Sequence, residues 1–286
     1  MDAQNTFVFK KEKYEHVTSR IGAAVYRGRN KYLRIGDKNL IEKDIQNHGL
    51  FTKYGFPVSK ILSKGVYQGN HFYIESSLGR KSLAKIFIKE MKKDGCVSEP
   101  SFASFLTVSK RYAKRQLASA VPFETLKTEF EQGILIAKLK KALPQYAVAI
   151  EDQYQKVVKK IRTLPLVLSH GDFCPFNVYK KGVIDLEDLF WAPLGYDMFT
   201  NIFHMDYFPK RGDYEFHQLY SFTPAQKKRY LDELDEVYIK YGLPKVSQYK
   251  KEIEFLRLGW LIVRMHKWPK IREYCLKMFL DKCLQN

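Results

Sequence analysis

Cysteine is scarce in this chain of 286 residues. Cys96, Cys174, Cys275 and Cys283 form no CxxC pair and have no histidine partner at zinc-module spacing. Neither a disulfide framework nor a zinc module is therefore expected; free thiols in a reducing cytoplasm are. Acids are also few, with 31 Asp and Glu against 49 Lys and Arg, a formal charge of +18. Long hydrophobic runs are missing as well. Lys, Arg or Gly interrupts every apolar stretch well before twenty residues, so no membrane span is expected. We find no internal repeat, low-complexity tract or signal peptide. A hydrophobic content of 45% is enough to bury a large core, in one domain or two lobes.

The most informative stretch is His170-Gly171-Asp172-Phe173-Cys174-Pro175-Phe176-Asn177, followed by Val183-Ile184-Asp185-Leu186-Glu187-Asp188. Leu164–Ser169 ahead of it is short and apolar, as a buried strand is. The turn Lys180-Lys181-Gly182 leads into a second apolar strand, so the polar residues fall on a loop between buried strands. A hydroxyl attacking the γ-phosphate of ATP must give up a proton and be aimed, a task suited to Asp172. Mg2+ on the phosphates prefers hard oxygen ligands, which Asn177 and Asp185 can supply. In an extended strand Glu187 would share a face with Asp185 and bring a third acid to the metals. A turn, a helix cap and three solvated acids would explain each residue singly, but not the set.

At these residues the chain resembles the aminoglycoside phosphotransferase and choline kinase group of small-molecule kinases. The resemblance implies an α+β, protein-kinase-like fold of two lobes: a β-rich lobe over 1–79 and a larger, mostly helical lobe over 80–286. ATP would lie between them. Asp172 falls on the group's catalytic aspartate, and Asn177 and Asp185 on its metal ligands. Leu186 replaces the usual tryptophan of that strand. Pro193-Leu194-Gly195-Tyr196-Asp197 is similar to a stretch whose aspartate supports the catalytic loop, which implies a structural role for Asp197.

The amino-terminal part extends the likeness. Val25–Arg27 and Lys31–Ile35 read as strands joined by a Gly28-Arg29-Asn30 turn. Ser19–Ala23, with Gly22, stands where the group places its nucleotide-covering loop, although this is no Walker A and one glycine is a weak signal. Pro57–Leu62 resembles the group's Pro-Val-Pro segment. His71–Gly79 resembles its last amino-lobe strand and hinge, so the backbone of Glu75, Ser76 and Ser77 is expected to hold adenine.

One departure stands out. Where such kinases carry a strand lysine paired with a helix glutamate, this chain has Arg34. Leu40, Ile41, Ile45, His48 and Phe51 gather on one helical face, and Asp44 lies within that face while Glu42 does not. A buried acid needs a partner, so Asp44 is the expected counter-ion of Arg34. Arginine can still bind phosphate, with a different geometry from lysine. The exchange also admits a nucleotide-binding pseudokinase, against which stand the retained Asp172, Asn177 and Asp185.

The charge bears on the acceptor. A polycationic aminoglycoside would be repelled by a strongly positive field, so a neutral or anionic sugar, saccharide or similar metabolite fits better. An anionic lipid or glycan surface would fit too. A basic stretch from Lys110 to Arg162, with Tyr112 and Tyr154, could instead neutralise nucleic-acid phosphates, but no recognition motif accompanies it.

Residues 81–163 and those after 205 read mostly as helices. Thr223-Pro224 marks one start, and a final helix is expected from Ile271 to Leu284. In the family, such carboxy-terminal helices build the acceptor site. Phe190, Trp191, Tyr207, Trp260 and Trp268 are candidate acceptor contacts. Aromatic rings of this kind also cage quaternary ammonium, which keeps choline or ethanolamine in play. Arg257, Arg264 and His266 are candidates for contact with an anionic acceptor.

Overall fold

The computed structural model describes residues 6–210 and 212–284. Six antiparallel strands form the first lobe: β1 (Thr6–Phe9), β2 (Glu12–Arg20), β3 (Ala23–Gly28), β4 (Lys31–Gly36), β5 (Ile61–Tyr67) and β6 (Asn70–Ser76). Their order in the curled sheet is β1-β2-β3-β4-β6-β5. Side-chain alternation divides β4 between two faces. Leu33 packs with Phe9, Tyr14, Phe72 and Ile74 in a small core on the outer face, leaving Tyr32 and Arg34 for the other.

Helix α1 (Lys38–Lys53) crosses between β4 and β5, burying Ile41, Asp44, His48 and Phe51 along the expected face. Its far end belongs to the core of the second lobe. Phe51 stacks on Phe56 at 4.2 Å, and Phe56 lies 4.9 Å from the Tyr112 ring. Asn47 donates to the Leu186 carbonyl at 2.7 Å. Helix α1 is thus fastened to the loop that carries the candidate metal ligands.

The second lobe is mostly helical. It runs through α2 (Leu83–Asp94), α3 (Glu99–Leu117), α4 (Lys127–Gly133), α5 (Ile136–Ala142) and α6 (Ala147–Ile161). Four short strands follow: β7 (Leu166–Ser169), β8 (Val178–Tyr179), β9 (Gly182–Val183) and β10 (Phe190–Pro193). Helices α7 (Tyr196–Phe203), α8 (Pro224–Ile239), α9 (Lys250–Arg264) and α10 (Pro269–Phe279) complete it, with one further turn over Leu280–Leu284. Thr223 caps α8 in a reciprocal capping box with Gln226, and Pro224 opens the first turn, as the sequence predicts. No helix among the described residues is long and apolar enough to cross a membrane.

The nucleic-acid reading of the basic stretch, already set against the lack of a recognition motif, gains nothing from the structure. Tyr112 and Tyr154 are core residues, unavailable for base stacking. Lys110, Lys140 and Lys160 are engaged by Glu233, Glu151 and Glu252.

Candidate active site

The loop after β7 owes its shape to Asp197. This fully buried carboxylate accepts from the His170 amide at 2.8 Å, the Gly171 amide at 3.3 Å, the Tyr112 hydroxyl at 2.9 Å and Gln116 Nε2 at 2.9 Å. Burial pushes its carboxyl up, and these donors oppose that shift. Phe173 is buried and stacks on the Tyr112 ring at 4.0 Å, so one side chain anchors two parts of the loop. Gly171 has a φ of +80°, and a Cβ there would collide with the Asp188 carbonyl. Only glycine suits both demands. The position expected for Asp197 is the one observed.

Asp172 is reached by a cation from α9. Arg257 Nη2 donates to Asp172 Oδ1 at 2.8 Å, and Nη1 to the Gly171 carbonyl at 3.0 Å. Burial works to raise the Asp172 carboxyl, but the Arg257 guanidinium, with help from His204, outweighs it and holds the pKa at about 2. Asp172 is therefore a carboxylate at neutral pH. Arg257, expected to contact an acceptor, instead lies beneath Asp172 as its counter-ion. The signal was a lone charge inside the apolar run Phe255-Leu256-Arg257-Leu258, which demanded a buried partner.

Asn177 Nδ2 donates to the Asp172 carbonyl at 3.0 Å and to Asp172 Oδ2 at 3.3 Å. With its amide nitrogen spent there, Asn177 Oδ1 is its remaining acceptor. Asp185 has a φ of +67°, a left-handed conformation that aspartate tolerates better than most residues. The strand alternation expected from Asp185 to Glu187 is broken at that point, yet both acids line the same cavity. An amide oxygen and an accessible carboxylate are ligands that suit Mg2+.

On the opposite wall the structure corrects the expected ion pair. Arg34 Nε donates to Glu75 Oε1 at 2.9 Å, and Nη1 lies 4.0 Å from Asp185 Oδ1. Glu75, not Asp44, is the counter-ion, although Asp44 lines the same cavity. The register explains the choice. Tyr32 faces Glu75 and Arg34 faces Tyr73 across β4 and β6, so Glu75 sits diagonally from Arg34 on one sheet face. Ser59 Oγ donates to the other Glu75 oxygen, and His48 Nε2 lies 3.2 Å from Ser59 Oγ. Burial opposes the Arg34 charge, but Glu75, Tyr73 and Asp185 raise its pKa further.

The expected hinge changes accordingly. The Ser76 and Ser77 amides already donate to the Lys60 and Asn30 carbonyls, each at 2.9 Å, and the Glu75 side chain turns toward Arg34. Gly22 turns at the end of the β2–β3 hairpin with a φ of +81°, its carbonyl accepting from the Asp37 amide at 2.7 Å. Beside it, Thr18, Ser19, Ala23, Ala24 and Val25 join Arg34, Asp44, Asp185 and Glu187 around a cavity of about 200 Å³. An adjoining cavity of about 220 Å³ is lined by Val25, Tyr32, Ser76, Leu78, Tyr179 and Ile184 among others.

The candidate acceptor aromatics fare unevenly. Phe190 and Tyr207 are core residues. Trp260 lies between two cations, Arg257 at 4.3 Å and Arg264 at 5.3 Å from its ring centre. Arg264 also pairs with Asp188, whose carboxyl burial pushes up against the pull of that guanidinium. Trp268 packs against Phe216 at the surface.

The sequence profile of the phosphotransferase enzyme family matches residues 100–235, a span that contains Asp172, Asn177, Asp185 and Asp197. Over that span, a little under half of its length, the chain resembles the family. The match makes the chain a phosphotransferase. Among solved structures, this phosphotransferase is similar to a choline/ethanolamine kinase family protein from Mesorhizobium loti, with a TM-score of 0.57 and 16% identity over 94% of this chain and 86% of that one. It is also similar to aminoglycoside phosphotransferase APH(4)-Ia in complex with AMP-PNP and hygromycin B, with a TM-score of 0.56 and 12% identity over 93% and 92%. A third, APH(3'')-Id from Streptomyces rimosus with ADP and streptomycin, gives a TM-score of 0.51 and 14% identity over 87% and 92%. At such identities the likeness is one of fold. No curated protein matches the chain in sequence.

Proposed function

We propose that this phosphotransferase moves the γ-phosphoryl group of ATP to a hydroxyl of a neutral or anionic small molecule, such as a sugar or saccharide, in the cytoplasm. One observation carries the proposal: the helical lobe exposes a carboxylate held ionised by a buried arginine, and the strand lobe turns an arginine held by a buried carboxylate into a cavity that it shares with Asp185. Asp172 accepts the hydroxyl proton and aims its oxygen. Arg34 takes the phosphates, positioned by Glu75 rather than by Asp44. Asn177 and Asp185 hold Mg2+, which supplies charge neutralisation on the phosphates. Adenine lies against Val25, Tyr32, Tyr179 and Ile184, the apolar part of the cleft.

The preference against a cationic acceptor rests on Trp260 as well as on net charge. Both arginines near its ring are already cations, so a quaternary ammonium would meet a covered, positively charged surface. This disfavours choline and ethanolamine despite the fold they share with this chain. Nothing in the relatives supports contact with a lipid or glycan surface.

ADP release measured over a panel of sugars, amino alcohols, nucleosides and aminoglycosides tests the proposal. Turnover with neutral or anionic hydroxyl compounds is expected. Turnover of aminoglycosides alone would overturn the acceptor assignment, and nucleotide binding without any turnover would make the protein a pseudokinase.

A further inference from the structure

Beneath Asp172, a second set of side chains converges that phosphoryl transfer does not use. Cys174 Sγ lies 3.8 Å from Asp172 Oδ2. One ligand atom each from Asp172, Cys174 and His204 lies within 4.8 Å of the others. Cys174 and His204 are buried, and His204 Nδ1 has no hydrogen-bond partner among the described residues. A buried ring nitrogen left without a partner is costly and asks for one.

We propose that Asp172, Cys174 and His204 form a binding site for one thiophilic divalent cation, Zn2+ by preference, separate from the Mg2+ ligands Asn177 and Asp185. Thiolate, imidazole and carboxylate together are a zinc-type ligand set, whereas Mg2+ takes hard oxygen ligands. Bond lengths of about 2.0–2.3 Å place tetrahedral ligands roughly 3.5 Å apart, so the 3.8 Å between Cys174 Sγ and Asp172 Oδ2 is close to what a metal requires and the set, within 4.8 Å, must draw together by about 1 Å. Asp172 divides its oxygens between the two tasks: Oδ1 is held by Arg257, and Oδ2 points to Cys174. Arg257 and Asn177 then act as the outer hydrogen bonds that orient a ligating carboxylate. As the S–Zn bond forms, the Cys174 proton, which burial otherwise holds on the sulfur, leaves to solvent. Occupancy would take Asp172 away from the acceptor hydroxyl and stop transfer, a consequence that rests on the proposed role of Asp172.

Titrating the full chain with Co2+ in the absence of nucleotide tests the site. One equivalent should bind with tetrahedral ligand-field bands and a sulfur-to-cobalt charge-transfer band. Zn2+ should displace it at one equivalent, and excess Mg2+ should not. Cys174→Ser should remove the charge-transfer band, and Cys96→Ser, at the exposed thiol, should leave it. His204→Asn, which keeps the thiol if Cys174→Ser fails to fold, should weaken binding by more than the about 10- to 100-fold typical of losing an outer-shell partner. No charge-transfer band, a band that survives Cys174→Ser, or unchanged affinity in His204→Asn would overturn the site. If the band appears but Zn2+ leaves ADP release untouched, the site stands and the role given to Asp172 falls.

Discussion

Among the described residues, each lobe has an arginine–carboxylate pair with one hidden member, and the two are built in opposite senses. In the strand lobe, Glu75 is the hidden member at 7% side-chain exposure, and Arg34 at 14% leans toward the cleft. In the helical lobe, Arg257 is hidden at 1%, and Asp172 is the exposed member at 31%. The bond lengths are nearly equal, 2.9 and 2.8 Å. One lobe therefore presents a cation and conceals its counter-ion, while the other presents an anion and conceals its own. Phosphates and an acceptor hydroxyl need that polarity across the cleft. Removing a hidden partner leaves an uncompensated charge, which is far more damaging than removing a surface ion pair.

Arg257→Met should have the largest effect on stability. It strands Asp172 and the Gly171 carbonyl at the loop centre, and chemical denaturation should show a loss of about 3–5 kcal/mol. Glu75→Gln keeps a hydrogen-bonding group beside Arg34 and Ser59 but removes the charge. It should cost about 1–3 kcal/mol and raise the KM for ATP more than it lowers kcat. A double-mutant cycle of Arg34→Met with Glu75→Gln should give a coupling of about 1–3 kcal/mol, and near-additivity would dissolve the pair.

The helical lobe's pair also carries an acid response. The Asp172 carboxyl lies below its ordinary value of 3.8, at about 2, so its contribution is complete above pH 4 and is lost as pH falls from about 4 to 2. Without the Arg257 cation, the largest influence against burial is gone and the carboxyl pKa rises. The acid limb of kcat/KM should therefore move to higher pH in Arg257→Gln, and an unmoved limb would detach Arg257 from Asp172. At the other end of the scale, Lys228→Ala breaks the exposed pair with Asp232 along α8 and should change stability by no more than about 0.5 kcal/mol.

Much of this polarity is written in local sequence. The loop from His170 to Asn177, the turn at Asn30 and the buried face of α1 follow from motif, turn chemistry and helical period. The hidden partners do not, because they are tertiary. Arg257 is 85 residues from Asp172, and Glu75 is 41 from Arg34. Helical periodicity put Asp44 correctly on the buried face, but a face does not say which neighbour it meets. Strand pairing does: once β4 lies beside β6, the two-residue alternation sends Glu75 to the side of Arg34. The left-handed backbone at Asp185 had no local signal either, since aspartate takes that conformation only where its surroundings require it.

The exposed anion of the helical lobe is the centre of this account, and Asp172→Asn tests it. ADP release with an accepted hydroxyl compound should be measured beside nucleotide affinity and circular dichroism of the same protein. A folded variant that binds nucleotide within a few-fold of the parent but turns over about 10²- to 10⁴-fold more slowly is the predicted result. Parental turnover in that variant would contradict it.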